Sequence, residues 1–129
     1  MKTINDPIFG TMTFSHSWKT KSDIDGIGEI SLVAQAYPGE SISDLQRLAC
    51  QTFLSKPLVF LEQASAALAE YIAKVYPAAS DKVLKPASVL FRQNGIWGFL
   101  YPSPVGEDDG LSVRFENGQV IADTDDALF

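Results

Sequence analysis

The chain has 129 residues, of which 46% are hydrophobic and 20% charged, and its formal net charge is −6; a chain of this length and composition is expected to fold as one globular domain spanning residues 1–129. The negative charge has the wrong sign for a protein that neutralises nucleic-acid phosphates, and no apolar run is long enough to span a bilayer, so neither nucleic acid nor a membrane is an expected partner. The first residues lack the apolar stretch of a secretory signal, and the one cysteine excludes an internal disulfide, so we expect a cytoplasmic protein.

Alternating polar and apolar residues predict strands in the first third of the chain. From Thr11 to Trp18 the alternation is strict, which is the period of a strand with one buried face. Asp25-Gly26 is a two-residue hairpin signal between the segments Lys19–Ile24 and Ile27–Ala36. The sequence therefore predicts a three-stranded meander.

Apolar residues at helical spacing predict two helices in the middle of the chain. Ser41-Ile42-Ser43-Asp44 resembles a capping box, with Asp in the place of the usual Glu or Gln, and would begin the first helix. Pro57 suits the first turn of a second helix, and Pro77 would end that helix. The predicted stripe of the first helix comprises Ile42, Leu45, Leu48, Ala49, Thr52 and Phe53. The predicted inner stripe of the second comprises Leu58, Leu61, Ser65, Leu68, Ile72 and Val75.

An Asn-Gly pair predicts a hairpin early in the last third of the chain. Asn94-Gly95 lies between Val89–Gln93 and Ile96–Tyr101, and this dipeptide is the strongest short hairpin signal. A two-residue turn there would place Phe91 opposite Gly98. The residues that would then share one face are Leu90, Trp97, Phe99 and Tyr101.

A second such pair, Asn117-Gly118, joins Leu111–Glu116 to Gln119–Ala122 and would set Phe115 opposite Val120. Strands followed by two helices and then more strands are typical of an α+β domain. We therefore predict a mostly antiparallel sheet in the order β-β-β-α-α-β-β-β-β. Both helices should pack on one face, and the other face should stay partly open to water.

Residue types that carry catalysis or bind metals are few in this chain. His16 is the only histidine, and metal sites and catalytic triads need several partners, so we interpret it as structural. Cys50 lies among apolar residues and is interpreted as a small buried hydrophobe. The acidic loop Val105–Gly110 lacks the alternate spacing of acids found in calcium loops. We therefore predict no catalytic residue, no metal and no cofactor, although any two of the 16 acids could meet as a carboxylate pair.

The net negative charge is concentrated at the C-terminal end. Residues 1–104 hold nine acidic and nine basic residues, whereas residues 105–129 hold seven acidic residues and Arg114 alone as a base. Such asymmetry is typical of a protein with a basic partner, or else of a solvated acidic edge that keeps a protein soluble. Tyr101 lies beside the acidic loop and is interpreted either as strand packing or as an exposed interface anchor. The predicted binding residues are Glu107, Asp108, Asp109, Asp123, Asp125, Asp126 and Tyr101.

The order of several short motifs resembles a broad group of small bacterial proteins classified as domains of unknown function. The motifs are Phe9-Gly10, Trp18, two central helices, Gly95–Tyr101, and Gly110–Val113 before a final Asn-Gly hairpin. They cover nearly the whole chain and specify a fold better than a function. Many members also carry a Trp-Asp-x-Glu-His-Gly stretch before the late strand. This chain has Val105–Gly110 there, which keeps an acid and the glycine but lacks the tryptophan and the histidine.

Several members of that group lie beside polymorphic or contact-dependent toxins and are regarded as immunity proteins. The resemblance therefore implies a protein that binds and neutralises a cognate toxin domain and that is not an enzyme. An acidic surface would suit a nuclease toxin, because nucleases need basic surfaces to hold phosphates. The alternatives are a small enzyme that uses a carboxylate pair and a housekeeping protein-interaction module. The sequence does not predict the oligomeric state.

Overall fold

The chain folds as an α+β domain in a computed structural model that describes residues 2–105, 110–125 and 128. The helices are α1 (Asp44–Ser55) and α2 (Pro57–Val75), followed by a short 3₁₀ helix (Pro77–Ala79). The strands are β1 (Thr3–Asp6), β2 (Gly10–Phe14), β3 (Trp18–Ile24), β4 (Gly28–Ala34), β5 (Ser88–Phe91), β6 (Trp97–Tyr101), β7 (Leu111–Glu116) and β8 (Gln119–Thr124). Both helices lie between β4 and β5 in the chain, as predicted.

The eight strands form one sheet whose spatial order is the order of the chain, from β1 to β8. Neighbouring strands are antiparallel except for β4 and β5, which are parallel. A parallel pair needs a long crossover connection, and the segment that contains α1 and α2 supplies it. The predicted mostly antiparallel sheet is therefore confirmed, with one additional strand, β1, at its start.

The strand predicted from Thr11 to Trp18 is interrupted. β2 ends at Phe14 and β3 begins at Trp18, and the turn between them contains His16 in the left-handed region, with φ of 66°. The polar-apolar alternation continues through this turn, so the pattern alone does not reveal the break. The remaining N-terminal strand, β1, has only four residues, which is too short for a periodic signal.

Two of the three predicted hairpin turns are longer than the two residues that the sequence predicts. Ile24 pairs with Gly28, so the β3–β4 turn has three residues. In the β5–β6 hairpin Phe91 pairs with Trp97 rather than with Gly98. The reason is a three-residue loop in which Gly95 adopts a φ of 90°, the left-handed residue that follows a type I turn.

The third turn has the predicted register. Around Asn117-Gly118, Phe115 pairs with Val120 and Val113 pairs with Ala122. The one-residue shift in the β5–β6 hairpin has a larger effect, because side chains alternate between the faces of a sheet. Leu90 therefore lies on the face opposite Trp97, which corrects the predicted grouping of Leu90 with the aromatic residues of β6.

Both helices pack on one face of the sheet through aromatic rings. Phe53 of α1 lies 5.5 Å from the ring of Trp97 and 5.7 Å from that of Phe99, centroid to centroid. Phe60 of α2 lies 5.0 Å from Trp97 and 5.3 Å from Phe115. We call this side of the sheet the helix face and the other side the helix-free face. The main core therefore lies between the helices and the helix face of the sheet, with buried side chains from β2 to β7.

The buried side of α1 differs from the predicted stripe. Leu45 and Leu48 are 52% and 58% exposed, and Thr52 is exposed as well. The buried residues of α1 are Gln46, Ala49, Cys50 and Phe53. The capping box is also two residues later than predicted, because Ser43 is the N-cap and Gln46 is its reciprocal partner.

The inner side of α2 is narrower than predicted. The helix itself begins at Pro57 and ends before Pro77, as expected. Leu68 and Ile72 are buried together with Ala64, but Leu58 and Val75 are each 49% exposed. Ser65 is exposed. Among residues 2–105, 110–125 and 128, no helix combines the length and the apolar character needed to cross a bilayer.

A second, smaller apolar cluster lies on the helix-free face. Val33 of β4 and Leu90 of β5 are cross-strand partners there, and Leu128 is fully buried with them. Ile96 and Leu100 pack against this cluster. Leu128 therefore covers part of the face that carries no helix.

Candidate functional site

The predicted acidic surface is described in part. Asp123 and Asp125 lie in and just after β8, the last strand of the described sheet. Both are partly exposed. The other predicted acids, Glu107, Asp108, Asp109 and Asp126, lie outside the described residues.

A backbone hydrogen bond connects the two acidic segments. The amide of Asp125 donates to the carbonyl oxygen of Gly110 at 3.0 Å. Gly110 is the residue that follows Glu107-Asp108-Asp109 in the sequence. A Cβ at position 110 would overlap the carbonyl oxygen of Tyr101, so only glycine fits this close approach. The start of β7 and the end of β8 therefore meet at one corner of the sheet, which we call the acidic corner.

Arg114 partly neutralises the charge near this corner. Its Nε lies 3.0 Å from a carboxylate oxygen of Glu116, and its Nη1 lies 3.6 Å from one of Asp123. Nη1 is buried and, within the described part of the chain, has no hydrogen-bond partner. Arg114, the only base among residues 105–129, thus lies between two of the seven acids of that segment. Those two acids therefore contribute less negative potential at the surface than two unpaired acids would.

Tyr101 is a core residue rather than an interface anchor. Its side chain is 3% exposed and belongs to the main core on the helix face. Its hydroxyl has no hydrogen-bond partner among the described residues, and burial raises the pKa of this group. The expectation of an exposed anchor is corrected accordingly. Trp97, Phe99 and Tyr101 are every second residue of β6, and this alternation is the pattern in the sequence that favoured packing.

His16 is not a core histidine. It is exposed, at the turn between β2 and β3. It lines a groove of about 410 Å³ on the helix-free face. The other lining residues are Ser17, Lys19, Val33, Gln35, Ser88, Leu90 and Leu100. Sequence reasoning treated His16 alone and missed this site, because the groove forms only when β3, β4, β5 and β6 are placed side by side.

A second groove lies beside α1. It has a volume of about 310 Å³ and is lined by Leu45 and Leu48 of α1 together with the two Asn-Gly turns. Trp97 and Phe115, stacked at 4.4 Å between ring centroids, form part of its wall. Hydrophobic periodicity placed both leucines on the inner side of α1, so this surface was not predicted.

The titratable groups with shifted pKa values serve the fold. Burial acts to raise the pKa of Asp6, but backbone N–H groups of Phe9 and Ile8 and the Arg47 side chain outweigh it and lower that pKa. Its Oδ2 accepts from both backbone groups at 3.0 Å, and its Oδ1 accepts from Arg47 Nε at 2.7 Å. Burial raises the pKa of the Cys50 thiol to about 12, so this thiol stays protonated and unreactive.

Each cavity described for residues 2–105, 110–125 and 128 is lined by at most one acid. The α1 groove is lined by Glu116, and two smaller cavities are lined by Glu40 and by Glu70, each without a second acid. The groove beside His16 is lined by no described carboxylate. Within the same described part of the chain, no group of three or more His, Cys, Asp or Glu side chains is placed to hold a metal ion.

Neither sequence nor structure comparison connects the chain to a known family. No protein-family model matches it, and no curated protein or solved structure matches it significantly.

Proposed function

We propose that the protein is a cytoplasmic immunity protein that binds and neutralises a cognate bacterial toxin. The observation that carries the proposal is the concentration of the whole net charge of −6 in residues 105–129. The hydrogen bond between Asp125 and Gly110 supports a single surface, because it brings the two acidic segments together at one corner.

A basic nuclease domain is the partner that fits this surface best. Nucleases hold phosphates with lysine and arginine side chains, and an acidic protein can occupy the same surface. The protein has an accessible surface of 7338 Å². A standard interface takes about 800 Å² from each partner, roughly one ninth of this area, so the acidic corner and its surroundings are large enough.

The acidic corner acts chiefly on the rate of association. Complementary charges steer partners during diffusion and raise the association rate more than the affinity. Because Arg114 neutralises part of the charge at Asp123, the proposal assigns the larger share of steering to Glu107, Asp108 and Asp109. Tyr101 is buried and is left out of the proposed interface.

Co-expression tests the function itself. Where a toxin-like gene lies directly upstream, its product is expressed with and without this protein, and growth and co-purification are scored. We expect restored growth and a stable complex. Continued growth arrest in the presence of folded protein, or the lack of any such upstream gene, would overturn the immunity proposal.

A charge-neutralised variant tests the surface. We expect Glu107→Gln, Asp108→Asn and Asp109→Asn together to slow association about tenfold at low salt and to flatten its salt dependence. The matched control neutralises three exposed acids of the β3–β4 hairpin: Asp23, Asp25 and Glu29. β4, which carries Glu29, lies three strand spacings from β7, roughly 14 Å, so this control should slow association less than the test variant does. Equal rates for both triple variants would exclude the acidic corner as the docking surface.

A further inference from the structure

The groove beside His16 is built from two neighbouring rows of the sheet. In one row Lys19, Val33 and Leu90 are successive cross-strand partners. In the next row Ser88 pairs with Leu100. These side chains all point to the helix-free face, since residues directly opposite each other share a face. The groove of about 410 Å³ lies within the usual range of small-molecule sites, roughly 300–1,000 Å³.

The floor of the groove is apolar. Val33 and Leu90 are 8% and 2% exposed, although they lie on the face that no helix covers. Leu128 packs with both residues, and Leu100 flanks them. The floor is therefore held by packing against the sheet on one side and against Leu128 on the other, so that it is formed before any ligand arrives.

The rim of the groove is polar and carries positive charge. Lys19, His16, Gln35 and Ser88 surround the floor, and no described acid lines the groove. No carboxylate of the described residues lies within ion-pair distance of Lys19, whereas Lys21 on the same strand is 3.6 Å from Glu29. Among the described residues, Lys19 is thus a cation without an ion-pair partner at the edge of an apolar groove.

The turn at His16 extends the same site. His16, Ser17 and Gln35 also line an adjoining cavity of about 170 Å³, whose lining includes Glu40. The Glu40 carboxylate accepts from the backbone amide of Tyr37 at 2.6 Å. The left-handed backbone of His16 holds this residue between the two cavities. The turn is fixed by a hydrogen bond from the amide of Ala36 to Ser17 Oγ at 3.3 Å. The polar rim is therefore attached to β4 rather than to a free loop.

We propose that this groove binds a small amphipathic carboxylate. The apolar part lies on Val33, Leu90 and Leu100, and the carboxylate lies at Lys19. A single lysine beside one imidazole matches one negative charge, whereas phosphate sites usually use arginine forks or several backbone amides. The site is separate from the acidic corner, so it does not depend on the proposed immunity function.

The test uses octanoate and its uncharged analogue octanol as probes of the full chain. Binding is followed by the shifts of backbone amide resonances during titration. We expect octanoate to perturb amides of β3 to β6 around the groove with a dissociation constant below about 1 mM, corresponding to roughly 4 kcal/mol. Octanol should bind at least about fivefold more weakly, because it cannot pair with Lys19.

Two lysine variants distinguish the rim charge from general attraction. Lys19→Gln should weaken octanoate binding about fivefold, and Lys21→Gln on the same strand should change it less than about twofold. Both side chains are exposed, so the fold should persist in each variant. Equal effects of the two substitutions, equal binding of octanol, or an absence of shifts at the groove would each overturn the proposal. Shifts at the groove that depend on protein concentration without a probe would show instead that a second copy occupies it.

Discussion

Asp6 shows how one buried charge can organise the start of the fold. Its carboxylate joins the turn after β1 to α1, since it accepts two backbone N–H groups and the guanidinium of Arg47. Arg47 also contacts Asp44 at the exposed start of the helix, at 3.0 Å. β1 has only four residues, and this polar link joins its last residue to α1, while Ile4 packs against the main core.

We predict that Asp6→Asn destabilises the protein at pH 7 by about 2 kcal/mol, because a charge-assisted hydrogen bond to Arg47 is lost. The pKa of Asp6 is lower in the folded protein than its ordinary value of 3.8. Its stabilising effect is therefore complete above about pH 5 and is lost as the pH falls through the folded-state pKa. Urea unfolding of both proteins at pH 7 and near pH 2 measures this.

The difference between wild type and Asp6→Asn should be clear at pH 7 and should shrink near pH 2. Glu29→Gln serves as the control, since the Glu29–Lys21 pair is about 70% exposed on each side and contributes little. A difference that stays constant with pH would mean that Asp6 does not act through its charge.

At the scale of elements, Gln46 connects α1 to the junction of β4 and β5. Its Nε2 donates to the carbonyl oxygens of Gln35 and Phe91 at 2.8 Å each. Its Oε1 accepts from the amide of Ser43, which completes the capping box. One side chain therefore caps the helix and satisfies backbone groups where the two strands end.

We predict that Gln46→Leu lowers the free energy of unfolding by about 2 kcal/mol, although leucine is more hydrophobic and is a good helix former. The reason is the loss of both donors and of the reciprocal cap. The matched control is Gln51→Leu on the exposed side of the same helix, which should change stability by less than about 0.5 kcal/mol. Thermal or urea unfolding measures both. Equal stability of the two variants would contradict the role given to Gln46.

The same residue explains a limit of the sequence analysis. Hydrophobic periodicity assigned Leu45 and Leu48 to the inner side of α1, because it counts apolar residues and cannot foresee a buried amide. With Gln46 buried, the helix is oriented so that Ala49 and Phe53 face the sheet, and the two leucines are exposed to water. The fold class was predictable, since strand alternation and helical spacing are local signals.

Long-range features were less predictable than local ones. Asn117-Gly118 gave the right register, whereas Asn94-Gly95 formed a longer loop and moved Leu90 to the other face. The groove at His16 joins residues from four strands, and no local pattern contains it. For the acidic corner, the charge count was visible in the sequence, but the neutralising contact between Arg114 and Asp123 required the pairing of β7 with β8.

At the scale of the whole molecule, the sheet has an apolar layer on each side. The main core lies under the helices, and the smaller cluster of Val33, Leu90 and Leu128 lies on the helix-free face. Leu128 belongs to neither a strand nor a helix, yet it is fully buried. Its position shows that Leu128 is part of the folded unit.

We predict that Leu128→Ala destabilises the whole protein by about 2 kcal/mol or more, the usual cost of removing a buried leucine side chain. Val83→Ala is the control, because Val83 is 93% exposed and the substitution removes apolar atoms without opening a cavity. Cooperative urea unfolding should show the loss for the first variant only. If Leu128→Ala were as stable as wild type, the second apolar layer would not contribute to the fold.

The single parallel pairing, between β4 and β5, bears on the order in which the chain folds. All other pairings join strands connected by turns or short loops. The two halves of the sheet, β1 to β4 and β5 to β8, can therefore each form without the other. The β4–β5 pairing joins positions 31 and 88, about 60 residues apart. Because chain entropy is lost, closing so long a loop costs about 2 kcal/mol more free energy than closing a four-residue hairpin. We therefore expect this junction to form late and to limit the refolding rate, while the two outer meanders assemble early.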